Sequence, residues 1–243
     1  MVLDGFMELY GIAVHPDGRV FLADSGKNQL FVAKKDPQDR TWSKQVFAGS
    51  GASFAVGVPN VLDGEGTDAS FDQPSGLALD VARGVLYVSD SAANLVRAVD
   101  LATKKVTTIA GDAAAARAHT GTSPGPNAGP NAGFSDGTGV AVLLQAPVSL
   151  TLDTAGNIFI VDQLGTKDKP ASGGGVRLLS GKNMYTVAGS PDHGAINGPG
   201  AAARFALATS ITTLPVASNG VPAGTMLIVD GFPLRKRACP LNA

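Results

Sequence analysis

The chain is poor in several residues that would have identified its chemistry. It has one cysteine, Cys239, in 243 residues, so no disulfide can form within it. Asn-x-Ser/Thr sites are missing too, and both absences fit a reducing compartment such as the cytoplasm. Basic charge is not in excess: 19 Lys and Arg stand against 20 Asp and Glu, with a pI near 6.3, which argues against a nucleic-acid partner. No apolar run approaches the ~18 residues of a spanning helix. The longest, 139–152, is interrupted by Gln145 and Pro147, so no membrane segment is expected. The opening MVLDGFMELYG lacks the cationic and apolar regions of a secretory leader. P-loop, G-x-G-x-x-G and paired-cysteine metal motifs are missing. Gly121-Thr122-Ser123-Pro124-Gly125 fits G-x-S-x-G, but it sits in a Pro/Gly-rich stretch and not at a strand-to-helix elbow, so the match is chance.

Turn residues and repetition are plentiful. Glycine occurs 31 times and proline 15 times, a composition of many turns between short strands. The tract DGEGTDASFDQP at 63–74 returns as DGTGVAVLLQAP at 136–147 and, eroded, as NGPGAAARFALA at 197–208. Each copy leads into a similar pattern of apolar alternation starting at 11, 76, 149 and 210, spacings of 65, 73 and 61 residues. Turn signals such as His15-Pro16-Asp17-Gly18 and Ser180-Gly181-Lys182-Asn183 divide each full copy into four strands, a to d. A four-stranded antiparallel unit in tandem reads as a propeller blade.

The run GLALD…GVLYVSDSAANLVRAVD at 76–100, followed by VTTIAG at 106–111 and the DG-x-G-x-x-A connector, resembles the NHL-repeat family of β-propellers. The resemblance extends over nearly the whole chain and is closest in the second copy. It implies an all-β propeller of NHL type with about four blades at 9–49, 74–111, 147–189 and 208–243, forming one domain. Three blades would be four-stranded. The fourth reaches strand c and stops, so the propeller is expected to be open or part of a larger one. An unpaired strand edge would leave edge-to-edge association open.

Strands that alternate direction put the b–c turns and the d–a connectors on one face. The connectors 50–73, 112–146 and 190–207 and the loop 163–175 therefore concentrate extra sequence on that face, where function on rigid scaffolds tends to sit. The candidate binding residues there are Asp63, Glu65, Arg117, His119, Asp136, Lys167, His193 and Arg204. The run 110–133 has the low-complexity composition of an unstructured insertion as much as that of a binding loop.

Asp24, Asp90, Asp162 and Asp230 end strand b in one register, and Arg97, Arg177 and Arg235 lie on strand c. A catalytic site needs its groups once, so repetition favours a structural role. Asp63-Gly64 and Asp136-Gly137 supply too few oxygens for calcium. Of the three histidines, His15 lies on the face opposite His119 and His193, so three zinc ligands do not converge. No catalytic residue, metal or cofactor is expected. The leading expectation is a non-catalytic scaffold for a protein partner, acting through the long-loop face or the open edge. The alternative is a metal-dependent propeller enzyme, of lactonase or lyase type, with its site at the central axis. The RNA-binding mode of some tripartite-motif NHL proteins is disfavoured by charge.

Overall fold

Valine, isoleucine, leucine and phenylalanine alternate with polar residues over short spans, and these spans form strands throughout the computed structural model. The structure describes residues 4–51, 61–114, 133–163, 173–192, 194–214 and 222–231, and the backbone of 235–239. Sheet 1 is β1 (Leu9–Val14), β2 (Val20–Asp24), β3 (Gln29–Lys35) and β4 (Trp42–Ala48). Sheet 2 holds β5 (Gly64–Glu65), β6 (Pro74–Asp80), β7 (Val85–Asp90), β8 (Leu95–Asp100) and β9 (Lys105–Ala110). Sheet 3 holds β10 (Gly137–Thr138), β11 (Pro147–Leu152), β12 (Ile158–Gln163), β13 (Gly174–Ser180) and β14 (Asn183–Ser190). Sheet 4 is β15 (Ala208–Thr213), β16 (Met226–Asp230) and β17 (Arg235–Cys239).

Within each sheet neighbouring strands run antiparallel. Tight turns join them for local reasons. In the β1–β2 turn Gly18 takes φ +89°, and the Asp17 carboxylate accepts the Arg19 amide at 3.0 Å. Between β11 and β12 Asp153 accepts the amides of Ala155 and Asn157 at 2.9 and 2.8 Å.

The sheets stack through their inner strands, with β1 on β6, β6 on β11 and β11 on β15. These strands approach closely. A Cβ at Gly76 on β6 would lie 2.8 Å from the Ser149 Cα on β11. Three apolar clusters fill the gaps between consecutive sheets. Phe21, Leu30 and Phe47 of sheet 1 meet Leu77, Leu86 and Val88 of sheet 2. Ala78 and Val96 meet Leu150, Ile160 and Met184. Phe159 and Val161 meet Ile211 and Ile228. The succession does not close on itself among the described residues, so the molecule is an all-β partial propeller.

Two details differ from the sequence reading. Sheets 2 and 3 have five strands, because the connector lays Gly64–Glu65 along β9 and Gly137–Thr138 along β14. The Asp-Gly tract therefore runs along the outer edge of the sheet before returning to the inner strand. The strand-c arginine of sheet 4 also shifts. Val88 pairs with Arg97 and Ile160 with Arg177, and the residue paired with their equivalent, Ile228, is Arg237, two places beyond Arg235.

Candidate functional site

Strand b carries an aspartate at its end in three sheets and one residue before it in sheet 3, and in each the carboxylate is buried and grips the incoming connector. Asp24 accepts the amides of Met7 and Glu8, both at 3.0 Å. Asp90 accepts that of Asp72 at 2.7 Å, and Asp162 those of Gln145 and Ala146 at 2.9 and 3.0 Å. Asp230 accepts that of Leu207 at 2.8 Å. Residues 4–8 thus enter sheet 1 as a shortened connector. The same site recurs four times because each sheet has the same joining problem.

In sheets 2 and 3 an arginine with no exposed side-chain surface completes a three-part brace. Arg97 reaches Asp90 through Nη1 and Asp63 through Nη2, both at 2.9 Å, and donates to the Leu62 and Ser70 carbonyls. Arg177 likewise reaches Asp162 at 3.1 Å and Asp136 at 3.0 Å. Phe71 and Phe134 cover the two guanidinium groups, at 5.3 and 4.3 Å. The outer aspartates are fixed further by Thr108 and Thr186 on the adjoining strands. Burial pushes Asp90 and Asp162 up to about 6, against the opposing pull of their arginines.

Sheet 1 solves the same problem with different chemistry. Phe31 occupies the arginine register opposite Leu22. It meets Phe6 edge-on at 5.4 Å, with the Lys44 ammonium 3.6 Å above the Phe6 ring. Lys44 and Lys27 donate to the carbonyls of Asp4 and Gly5.

Of the candidate binding residues, the four that are described, Asp63, Glu65, Asp136 and Arg204, do not converge. Asp63 and Asp136 lie in different sheets, each held by its own arginine, and so act as connector anchors. Glu65 is exposed on β5, opposite Lys105. Arg204 pairs with Asp192 at 3.4 Å inside its own connector. Arg117, His119, Lys167 and His193 lie outside the described residues, as do 115–132 of the low-complexity run. Among the described residues no group of three or more His, Cys, Asp and Glu could hold a metal ion.

Two features gave little sign of themselves in the sequence. Asp72 looks like one more connector acid, yet it is only 5% exposed, and burial beside Asp90 pushes it up to about 8. Its Oδ1 has no hydrogen-bond partner among the described residues, so it does not add charge to the loop face at neutral pH. Ser75, meanwhile, touches Ser89 at 3.0 Å and donates to the Val148 carbonyl at 3.1 Å, while Ser91 donates to that of Pro147 at 2.6 Å. These serines tie sheet 2 to sheet 3. The repeated Asp-Ser dipeptides at 24–25 and 90–91 were the available signal.

No family model matches the chain. Stretches of it are similar to NHL repeat-containing protein 2. The Bos taurus protein is 29% identical over 99 residues, which is 40% of this chain and 12% of that one. The Homo sapiens protein is 30% identical over 95 residues, 38% of this chain and 11% of that one. The chain spans only about an eighth of these relatives. Among solved structures, an auxiliary nutrient binding protein from Bacteroides thetaiotaomicron superposes with a TM-score of 0.53 at 15% identity. The match covers 90% of this chain and 44% of that one, a likeness of fold. Over about 40% of its length, then, this chain is similar to an NHL repeat-containing protein, which supports a partial NHL-repeat relationship.

Proposed function

We propose that the chain is a non-catalytic propeller scaffold that binds a protein partner through its connector face or an open strand edge. The observation that carries this reading is the use made of the repeated polar residues. Asp24, Asp90, Asp162 and Asp230, with Arg97 and Arg177, all serve to hold connectors on sheets. What varies from one repeat to the next is connector length and composition, as expected of a recognition surface. The near-neutral charge supports a protein partner over nucleic acid.

Affinity capture followed by cross-link mapping tests this. Cross-links should fall within 50–73, 112–146 and 190–207, and replacing 112–135 with a short Gly-Ser linker should change the set of bound proteins. Cross-links confined to the a–b and c–d turns would refute the assignment. So would one equivalent of bound zinc or calcium accompanied by hydrolytic or lyase turnover.

A further inference from the structure

Sheet packing in this chain has a direction. Each sheet presents one face, here called the leading face, to the sheet before it, and the other, trailing face to the sheet after it. Leu77, Leu150 and Ile211 hold the same leading-face position, opposite Val88, Ile160 and Ile228, and they are 9%, 4% and 4% exposed. Ile12, opposite Leu22, holds that position in sheet 1 and is 64% exposed. Val14 and Tyr10, on the same side of β1, are 62% and 71% exposed. Behind them Leu22, Phe31 and Ala33 are 8%, 6% and 0% exposed, with Phe6, Val20, Val46 and Trp42 packed against them. Phe6 closes the part of this face around Phe31, and what stays exposed is the β1 stripe of Tyr10, Ile12 and Val14.

The trailing face of sheet 4 is its counterpart. Phe21, Tyr87 and Phe159 are the trailing-face residues that receive the next sheet, and Leu227, opposite Thr212, is their equivalent, half-buried beside the half-buried Val229. We propose that sheet 1 of one copy docks on sheet 4 of a second copy, leading face to trailing face, continuing the packing already used between sheets 1 to 4. The occupant follows from that continuity, since an apolar leading face is complementary to a trailing face of this same repeat. Contacts of this head-to-tail kind close into rings when the rotation allows. Contiguous exposed apolar side chains such as Tyr10, Ile12 and Val14 are a feature of association sites.

The proposal is independent of the connector-face reading, and its test uses different readouts. Light scattering on the 243-residue chain at tens of micromolar should give twice 24.5 kDa. Ile12→Glu and Leu227→Lys should each weaken association about 100-fold or more while leaving the far-ultraviolet circular dichroism unchanged. Mixing the two variants should restore a dimer, because the pair retains one intact leading-to-trailing contact and gains a Glu–Lys contact at the other. A monomeric chain at that concentration, as expected if further sheets of a longer polypeptide cover this face, would overturn the proposal. A dimer that neither variant disrupts, or variants that fail to complement on mixing, would overturn it equally. Capture of connector-dependent partners by a monomer would sink this inference and leave the scaffold reading standing.

Discussion

At the residue scale the controlling fact is that buried charges here are paired on one side and screened on the other. Arg97 joins an aspartate with no exposed surface, Asp90, to one that is 40% exposed, Asp63. Removing the arginine strands a buried carboxylate, which typically costs about 3–5 kcal/mol. Removing the exposed partner costs about 1 kcal/mol or less, since the Leu62 carbonyl still accepts from Nη2. Urea denaturation should therefore rank Arg97→Met far below Asp63→Ala; equal losses would mean the brace does not hold the connector. Asp72 gives a pH prediction. The folded protein keeps its proton up to about 8, whereas the unfolded chain releases it near 3.8, so the native state binds more protons in between. Stability then falls as pH rises through that window. Asp90 and Asp162 add the same sign of slope only up to about 6. Asp72→Asn should flatten the fall between pH 6 and 8 and lessen it below 6, where the Asp90 and Asp162 contributions remain, as read by melting temperature against pH.

At the element scale the inner strands set the limits. β6 crosses β11 so closely that Gly76 has no room for a methyl group, its would-be Cβ lying 2.8 Å from both Ser149 Cα and Ser89 Oγ. Backbone cannot step aside cheaply, so Gly76→Ala should cost about 1–3 kcal/mol, measured by thermal unfolding. Ser149→Ala, which loses only an acceptor for the Ile211 amide at 3.2 Å, should cost about 1 kcal/mol. If the two substitutions prove equivalent, the tight contact between inner strands is not what positions the sheets. The elements themselves were legible in the sequence, since alternation and turn chemistry are local properties. The fifth strands β5 and β10 were not. Each is two residues long, and its partner residues lie 40 to 47 positions further along. Such a pairing leaves no period to read.

At the scale of the whole molecule, stability is shared between consecutive sheets, so the effect of a substitution depends on its place in the stack. Leu77 and Ile12 occupy one structural position with similar side chains, yet only Leu77 is covered by another sheet. Leu77→Ala should cost about 2–5 kcal/mol, while Ile12→Ala should change unfolding of the isolated monomer by about 1 kcal/mol or less. Chemical denaturation at protein concentrations below those at which copies associate would separate the two. A large loss at Ile12 under those conditions would show that this face is already covered within the chain.

The residues fixed the class of fold, the recurrence of its unit and the structural character of the strand-b aspartates, because periodicity, turn preference and repetition are carried by neighbours along the chain. Asp63 and Asp136 show where that reading stops. In sequence they were acids on long loops and candidates for binding; in space each meets a buried arginine, 34 and 41 residues further along respectively. Asp72 shows it again, since burial and the nearness of Asp90 decide its charge, and neither is written in SFDQP. Only the tertiary structure decided which charges are consumed and which apolar face is left uncovered, because both depend on what one sheet brings against the next.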